Sequence, residues 1–245
     1  MEVAIVTRGR GPERQYTADA LRGVSFVVRT FCHPQDLAQW PDFKAIPVEH
    51  DWVYEVRQHI LNTCDKVIML DDDFANWSHI RPDGRYTKAT TAEIEETFKE
   101  IDEMLNTRAV VGIGQRYMAN TRPLVVVNGR VNGAIGINCA RLRQLGVSFR
   151  RKTMEDFDLI LQLLTKGEEV VNYSRLVYEQ ASSGTDGGCS TYRTLELHNE
   201  GALELAKQWP GLVRVVEKTT KGSWGGGTRL DVVVSWKKAY ANANN

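Results

Sequence analysis

No apolar run in this chain approaches the roughly 20 residues that a membrane span requires, so no membrane partner is expected. The opening stretch, M-E-V-A-I-V-T-R, has no basic segment followed by a long apolar core, and no signal peptide is expected from it. There is no excess of charge: Lys plus Arg and Asp plus Glu both number 31, leaving a formal net charge of +0. Such a balance does not advertise a nucleic-acid binder, yet it is compatible with a local basic face. There is no C-x-x-C pair. Cys32, Cys64, Cys139 and Cys189 are widely separated, which argues against a zinc cluster or a disulfide framework and for a reducing compartment. The dinucleotide G-x-G-x-x-G and the P-loop with its Lys-Ser/Thr are both missing. No internal repeat or linker divides the 245 residues. One α/β domain is therefore expected, with a C-terminal lid or acceptor region from about residue 180.

What is present centres on Lys66–Phe74, K-V-I-M-L-D-D-D-F. The apolar run Val67–Leu70 suits a strand buried on both faces. It empties into Asp71, Asp72 and Asp73, at the carboxyl edge where open α/β sheets bind their ligands. Three adjacent carboxylates repel one another unless a cation sits among them, and a hard divalent metal is the natural partner. In extended backbone alternate side chains share a face, so Asp71 and Asp73 are placed to share one ion while Asp72 faces elsewhere. A solvated acidic turn is the plain alternative.

Around this stretch the chain alternates strands with helical or loop segments, which implies a mainly parallel sheet. Strands are expected at Val3–Thr7, Val24–Thr30, Ala45–Val48, Arg108–Gly114, Leu124–Asn128 and Val170–Val177. Helices are expected at Trp52–Cys64, Thr91–Leu105, Cys139–Leu145 and Glu196–Trp209. Asn76–Thr90 lacks periodicity and reads as a loop. Val213–Val216 and Asp231–Trp236 are candidates to pair around Lys221–Arg229, whose glycines and Trp224 suggest a lid. The first strand leads into Arg8-Gly9-Arg10-Gly11-Pro12-Glu13-Arg14, where glycines allow close approach and arginines can clamp phosphate. In Val131–Asn138, small residues suit a backbone lying against a ligand.

A second informative stretch is Phe149–Gly167. Thr153 is a candidate helix cap with Asp156 at the third helical position, and acids at a helix start favour its dipole. That accounts for one acid better than for Glu155, Asp156 and Asp158 together. Arg141, Arg143, Arg150, Arg151 and Lys152 precede them; the cluster suits DNA phosphates and equally suits a solvated basic face.

Taken together, a strand ending in D-x-D, an N-terminal strand leading into a polar loop, and a downstream E-D opening a helix resemble a GT-A-type nucleotide-sugar glycosyltransferase. More narrowly, L-D-D-D-F, N-G-A-I-G-I-N, M-E-D-F-D-L and G-G-C-S-T-Y-R resemble phage-encoded glycosyltransferases associated with TET-like dioxygenases, implicated in adding sugar to 5-hydroxymethylcytosine in DNA. The resemblance covers most of Val3–Arg193. It implies a GT-A-like fold with Mn²⁺ or Mg²⁺ on Asp71 and Asp73, held against the diphosphate of a UDP-sugar, UDP-glucose first among candidates. Thr7, Arg8, Arg10, Asp71, Asp72, Asn132, Gly133, Arg193 and Trp224 would form the donor side, with Arg8 and Arg10 beside uracil or phosphate and Asp72 near the ribose. Asp156, with Glu155 beside it, would be the catalytic acid pair; in an inverting enzyme Asp156 takes the proton of the acceptor hydroxyl. The motif does not fix the stereochemistry. Many relatives add a late His as a metal ligand, and His198 is the one here, although it falls within an amphipathic helix. A phage enzyme of this kind would work in the host cytoplasm on hydroxymethylated DNA.

Three other readings compete. A glycan or protein acceptor would share the donor chemistry. A sugar-nucleotide nucleotidyltransferase also uses metal-bound Asp, but its signature loop carries a Lys that Arg8–Arg14 lacks. A non-catalytic binding module leaves the Asp triplet and the E-D helix start without a purpose.

Overall fold

The computed structural model describes residues 1–40, 44–180, 188, 192–220 and 227–244. In chain order the elements are β1 (Glu2–Val6), α1 (Tyr16–Ala20), β2 (Val28–Cys32), β3 (Ile46–Pro47), α2 (Val53–Thr63), β4 (Lys66–Asp71), β5 (Phe74–Ile80), β6 (Tyr86–Lys88), α3 (Thr91–Met104), β7 (Val110–Gln115), α4 (Arg116–Ala119), β8 (Val125–Val127), β9 (Ala134–Asn138), α5 (Cys139–Gln144), α6 (Glu155–Leu164), β10 (Val171–Gln180), α7 (Leu195–Gln208), β11 (Val213–Thr220), β12 (Gly227–Val234) and α8 (Trp236–Ala243). Short 3₁₀ turns at Pro12–Arg14 and Pro34–Gln39 complete the list of helical segments among the described residues.

The main sheet has ten strands in the order β3-β2-β1-β4-β9-β7-β10-β5-β6, with β8 paired to β10 off this path. Its centre is the strand that the apolar run foretells. Ile68 and Leu70 join Val3 and Ile5 in one core with Phe98 and Ile101 of α3, while Val67 and Met69 join Ala4 and Val6 in a second core with Ile60, Leu61 and Leu159. Both faces are covered, so the continuous apolar pattern of a doubly buried strand is physically required.

The sheet is mixed rather than mainly parallel. β3, β2, β1 and β4 run parallel, as do β7 and β10. β9 is inserted antiparallel between β4 and β7. Strand direction follows from the path of the chain through space, to which local composition is blind. A consequence is that the carboxyl ends of β1, β4, β7 and β10 and the start of β9 all gather at one edge.

Four local expectations need correction. Asn76–Thr90 is largely a hairpin: β5 pairs antiparallel with β6, and Pro82-Asp83-Gly84 is its turn, with Gly84 at φ +81°. Its partner across the sheet, β10, supplies the contacts that its own sequence does not advertise. The second strand starts at Val28, later than Val24. The segment Gln115–Pro123, irregular by its sequence, contains a short helix, α4. Thr153 does not cap α6; the cap position is Met154 in left-handed backbone at φ 57°, and no side chain bonds to it. Thr153 is instead buried under α7, where a Cβ on Gly201 would lie 2.0 Å from its Oγ1.

Beyond β10, α7, the β11–β12 hairpin and α8 pack onto the same core as β4 and α6, through Ala202, Leu205, Val213, Val232 and Ala239. The hairpin pairs as expected, with Val216 opposite Asp231, but Trp236 starts α8 instead of ending the strand. Among the described residues, no helix is long and apolar enough to cross a membrane.

Candidate active site

The Asp triplet leaves β4 at the gathered edge, and its three carboxylates have different fates. The turn is pinned by backbone bonds: Asp71 N donates to Gly133 O at 3.0 Å, and Thr17 Oγ1 donates to Asp71 O at 2.7 Å while accepting from Phe74 N at 3.0 Å. Asp72 turns away from its neighbours into the β1 loop. Both its oxygens are occupied, Oδ2 by Thr7 Oγ1 at 2.5 Å and Oδ1 by Arg10 Nε at 2.7 Å. Asp72 is thus held against β1, and the same Arg10 also reaches Asp73. The Asp72 side chain is enclosed, which leaves it bracing the loop rather than meeting a ribose directly.

Asp71 stands beside the acids of α6, and Asp73 beside Asp72 and Arg10. Arg57 Nη2, from α2, lies 2.6 Å from Asp71 Oδ1 and 3.9 Å from Glu155 Oε1, bridging the two motifs. Asp73 Oδ2 accepts from Arg10 Nη2 at 3.4 Å and from Gln180 Nε2, at the end of β10, at 3.3 Å. Arg130 donates through Nε to Asp156 Oδ2 at 2.9 Å, and its guanidinium stacks 4.1 Å above the Phe157 ring. Asp158, on the same helix turn, points into the interior and takes no part in the cluster.

This crowding shows in the acidities. Burial raises the Asp71 carboxyl to about 7 against the pull of Arg57, and Asp73, Glu155 and Asp156 push it further the same way. Burial, opposed by Arg10 and Thr7, holds Asp72 at about 6. Burial and then Asp72 raise Asp73 to about 6. Two buried oxygens in the cluster have no hydrogen-bond donor: Asp73 Oδ1 and Glu155 Oε2. A buried acceptor left unpaired is costly, and here the deficit is of positive charge or protons.

A divalent cation fits that deficit. Among the described residues no three His, Cys, Asp or Glu side chains converge as a closed ion cage. The residues present suit an ion that takes two carboxylates from the protein and the rest of its shell from phosphate oxygens and water, as Mg²⁺ and similar hard cations do. Asp71 and Asp73 are the residues that would hold it.

The other expected donor-side residues are dispersed around this edge. Arg8 Nη1 donates to His50 O at 2.5 Å, and Gly188 N donates to Arg8 O at 2.7 Å, tying residue 188 to the β1 loop. Asn132 and Gly133 precede β9. Asn132 O accepts from Tyr178 OH at 2.8 Å, and Gly133, at φ +69°, has no room for a side chain, since a Cβ would meet that same Tyr178 oxygen at 2.8 Å. Arg193 stands at the foot of α7, within electrostatic reach of His198. His198 is half-buried on α7 beside Arg229 and Asp231 of β12, and burial lowers its pKa, with Arg229 acting in the same direction. It belongs to the C-terminal hairpin and not to the Asp cluster. Trp224 and the core of the suggested lid, residues 221–226, lie outside the described residues, as does Cys189.

The arginines of the basic cluster before Asp156 are each paired within the chain. Arg141 pairs with Glu168 at 2.8 Å, and Arg143 bonds Leu61 O and Cys64 O, both at 2.6 Å. Arg150 grips Asp158 at 2.8 and 3.1 Å, and Arg151 binds Gln208 and Glu204 at 2.7 and 3.0 Å. Lys152 sits 4.6 Å from the centre of the Trp52 ring. These contacts join α5, α6 and α7 to the body of the protein, while the Arg141 and Arg150 side chains remain 41 % and 44 % exposed.

Sequence reasoning missed Arg57, Arg130, Tyr178 and Gln180. For Arg57 a signal was present: it is an arginine inside the apolar stripe Val53, Val56, Ile60, Leu61, and a charge on the buried face of a helix needs a buried partner. Arg130 reads only as part of a polar turn. Tyr178 and Gln180 carry no local signal, because β10 must first be aligned beside β5 and β7.

A family model described as TET-Associated Glycosyltransferase matches residues 1–188 of the chain. The matched part contains the Asp triplet, Arg57, Arg130 and the acids of α6, and it ends before α7. No curated protein matches the chain.

Proposed function

The chain belongs to the TET-associated glycosyltransferase family, and from that premise we propose that it transfers a sugar from a UDP-sugar, UDP-glucose first among them, to the hydroxymethyl group of 5-hydroxymethylcytosine in DNA, with Mn²⁺ or Mg²⁺ as cofactor, on a GT-A-like fold. The observation that carries this reading is the meeting of two acid motifs at one sheet edge: Asp73 Oδ1 and Glu155 Oε2 are buried without donors, and Arg57 bridges Asp71 to Glu155.

A bound divalent ion would supply charge to the diphosphate as it leaves. The protein's own groups account for the remainder. Asp71 and Asp73 would hold the ion, and Arg10 keeps Asp72 and Asp73 in register. Arg57 fixes the distance between donor and acceptor sides. Asp156 takes the proton from the acceptor hydroxyl as its oxygen forms the new bond to the anomeric carbon, and Arg130 orients that carboxylate and balances its charge in the resting state. The bond from the anomeric carbon to the donor phosphate breaks, and the electron pair leaves with the nucleoside diphosphate.

The test is an incubation of enzyme, Mn²⁺ and a panel of UDP-sugars with DNA containing 5-hydroxymethylcytosine, 5-hydroxymethyluracil or unmodified bases, read by nucleoside mass spectrometry. A hexose mass shift on hydroxymethylcytosine is expected. Asp156→Asn should lower transfer about 100-fold or more while UDP binding is retained. Intact donor binding without a mass shift on any hydroxymethylated base would reject DNA and favour a glycan or protein acceptor.

A further inference from the structure

Arg141, Arg143, Arg150 and Arg151 already have partners within the chain, and DNA would need further positive charge at the edge that carries the Asp triplet. The segment 116–130 provides it: Arg116, Arg122 and Arg130 occur there with no acidic residue among them. It begins at the carboxyl end of β7 and returns toward β9, at the edge that carries the Asp triplet. Tyr117 stands at its crest with 76 % of its surface exposed, the highest of any large apolar side chain described. Arg116 anchors the turn beneath it, stacking 5.1 Å from the Tyr86 ring centre and donating to Asn120 Oδ1 at 3.0 Å. Tyr117 lies within electrostatic reach of Arg130, the residue bonded to Asp156. Arg122 is exposed and makes no hydrogen bond or ion pair among the described residues.

We propose that segment 116–130 is the acceptor-binding surface, that Tyr117 stacks on the pyrimidine whose hydroxymethyl group is presented to Asp156, and that Arg122 binds a flanking phosphate. The inference rests on the DNA reading above and adds the residues that recognise the acceptor. An exposed aromatic ring near Arg130, the partner of Asp156, offers a π-face for a base, and the acid-free run of arginines around it complements a polyanion. Stacking also explains the choice of element. Tyr117 is the second residue of α4, which follows β7 without a break, so the exposed ring is carried at the end of a central strand.

The full chain is tested by fluorescence anisotropy with a labelled oligonucleotide containing 5-hydroxymethylcytosine, across a salt series, with calorimetric UDP binding in Mn²⁺ as the check on folding and the donor site. Tyr117→Ala should weaken oligonucleotide binding about tenfold or more, and Tyr117→Phe should restore it, since stacking needs the ring and not the hydroxyl. Arg122→Ala should weaken binding without regard to sequence and lower the salt slope by about one. UDP binding should be unchanged in all three. Unaltered DNA binding by Tyr117→Ala, or a Tyr117→Phe variant as weak as the alanine, overturns the proposal while leaving the transfer reaction standing. A wild-type chain that binds no oligonucleotide and modifies none overturns the DNA reading itself, and this surface with it.

Discussion

Asp158 and Asp73 are both buried carboxylates in acid-rich motifs, and the protein treats them in opposite ways. Asp158 is 1 % exposed and fully engaged: Arg150 holds both of its oxygens, Gln162 Nε2 donates at 2.8 Å, and Trp209 Nε1 donates at 2.8 Å from beyond α7. Asp73 keeps one buried oxygen with no donor, between like charges and partial cationic cover. A buried carboxylate whose every acceptor is filled is a structural joint. One that is left short is maintained at a cost, and the cost is offset only when something binds.

Removing the joint should give the largest effect of that contrast. Asp158→Ala leaves Trp209 Nε1 and the Gln162 amide without their acceptor, and should destabilise the protein by about 3 kcal/mol. The solvated Arg150 adds little to this loss. Chemical denaturation measures the change, and the fraction that remains folded should bind UDP as the wild type does. Loss of UDP affinity at full folding would place Asp158 with the working acids and erase the distinction.

The complementary substitution, Asp73→Asn, removes a charge at nearly constant shape. Metal-dependent UDP binding should fall by at least about tenfold. Stability without metal should hold or rise, because a repelling buried charge has gone. A marked drop in unfolding temperature, with UDP affinity unchanged with and without Mn²⁺, would mean that Asp73 is a joint like Asp158.

A smaller effect, on pH, sharpens the comparison further. The folded-state pKa values of Asp71, Asp72 and Asp73 are raised to about 7, 6 and 6 from an ordinary 3.8. For acids shifted upward, the folded chain binds more protons than the unfolded one across that interval, so this contribution to stability is complete below about 4 and is lost as pH climbs through 6 to 7. Protonation also competes with the cation. Thermal unfolding from pH 5 to 8 should therefore show Mn²⁺ with UDP stabilising the wild type more at pH 8 than at pH 5. In Asp73→Asn that dependence should flatten. An equal ligand-induced shift at every pH would show that these carboxylates do not hold the ion.

Much of the frame was legible before any coordinates. The strand running into Asp71–Asp73, the helix behind Val56, Ile60 and Leu61, the acidic start of α6 and the β11–β12 pairing all follow from apolar runs and periodicities that a short window contains. The motifs L-D-D-D-F and M-E-D-F-D-L led to the family that the match over residues 1–188 establishes. The β5–β6 hairpin was not legible, because its strands draw their burial from β10 and α3 and their own alternation is weak. The cap of α6 was misread for a related reason: Thr153 has the chemistry of a cap, but packing against Gly201 of α7 gives it a different place.

The sequence alone therefore determined where carboxylates would leave a buried strand and which residues would form the two apolar faces, because those properties depend on neighbours along the chain. Tertiary structure decided what each charge is for. Arg57 and Arg150 are indistinguishable as letters, yet one bridges Asp71 to Glu155 and the other fastens Asp158. Asp72 and Asp73 are adjacent, yet one is enclosed by Thr7 and Arg10 while the other keeps an unfilled oxygen. An ionised group acts through its distance to partners and its access to water, and both are set by segments far apart in sequence that meet only when the sheet is assembled.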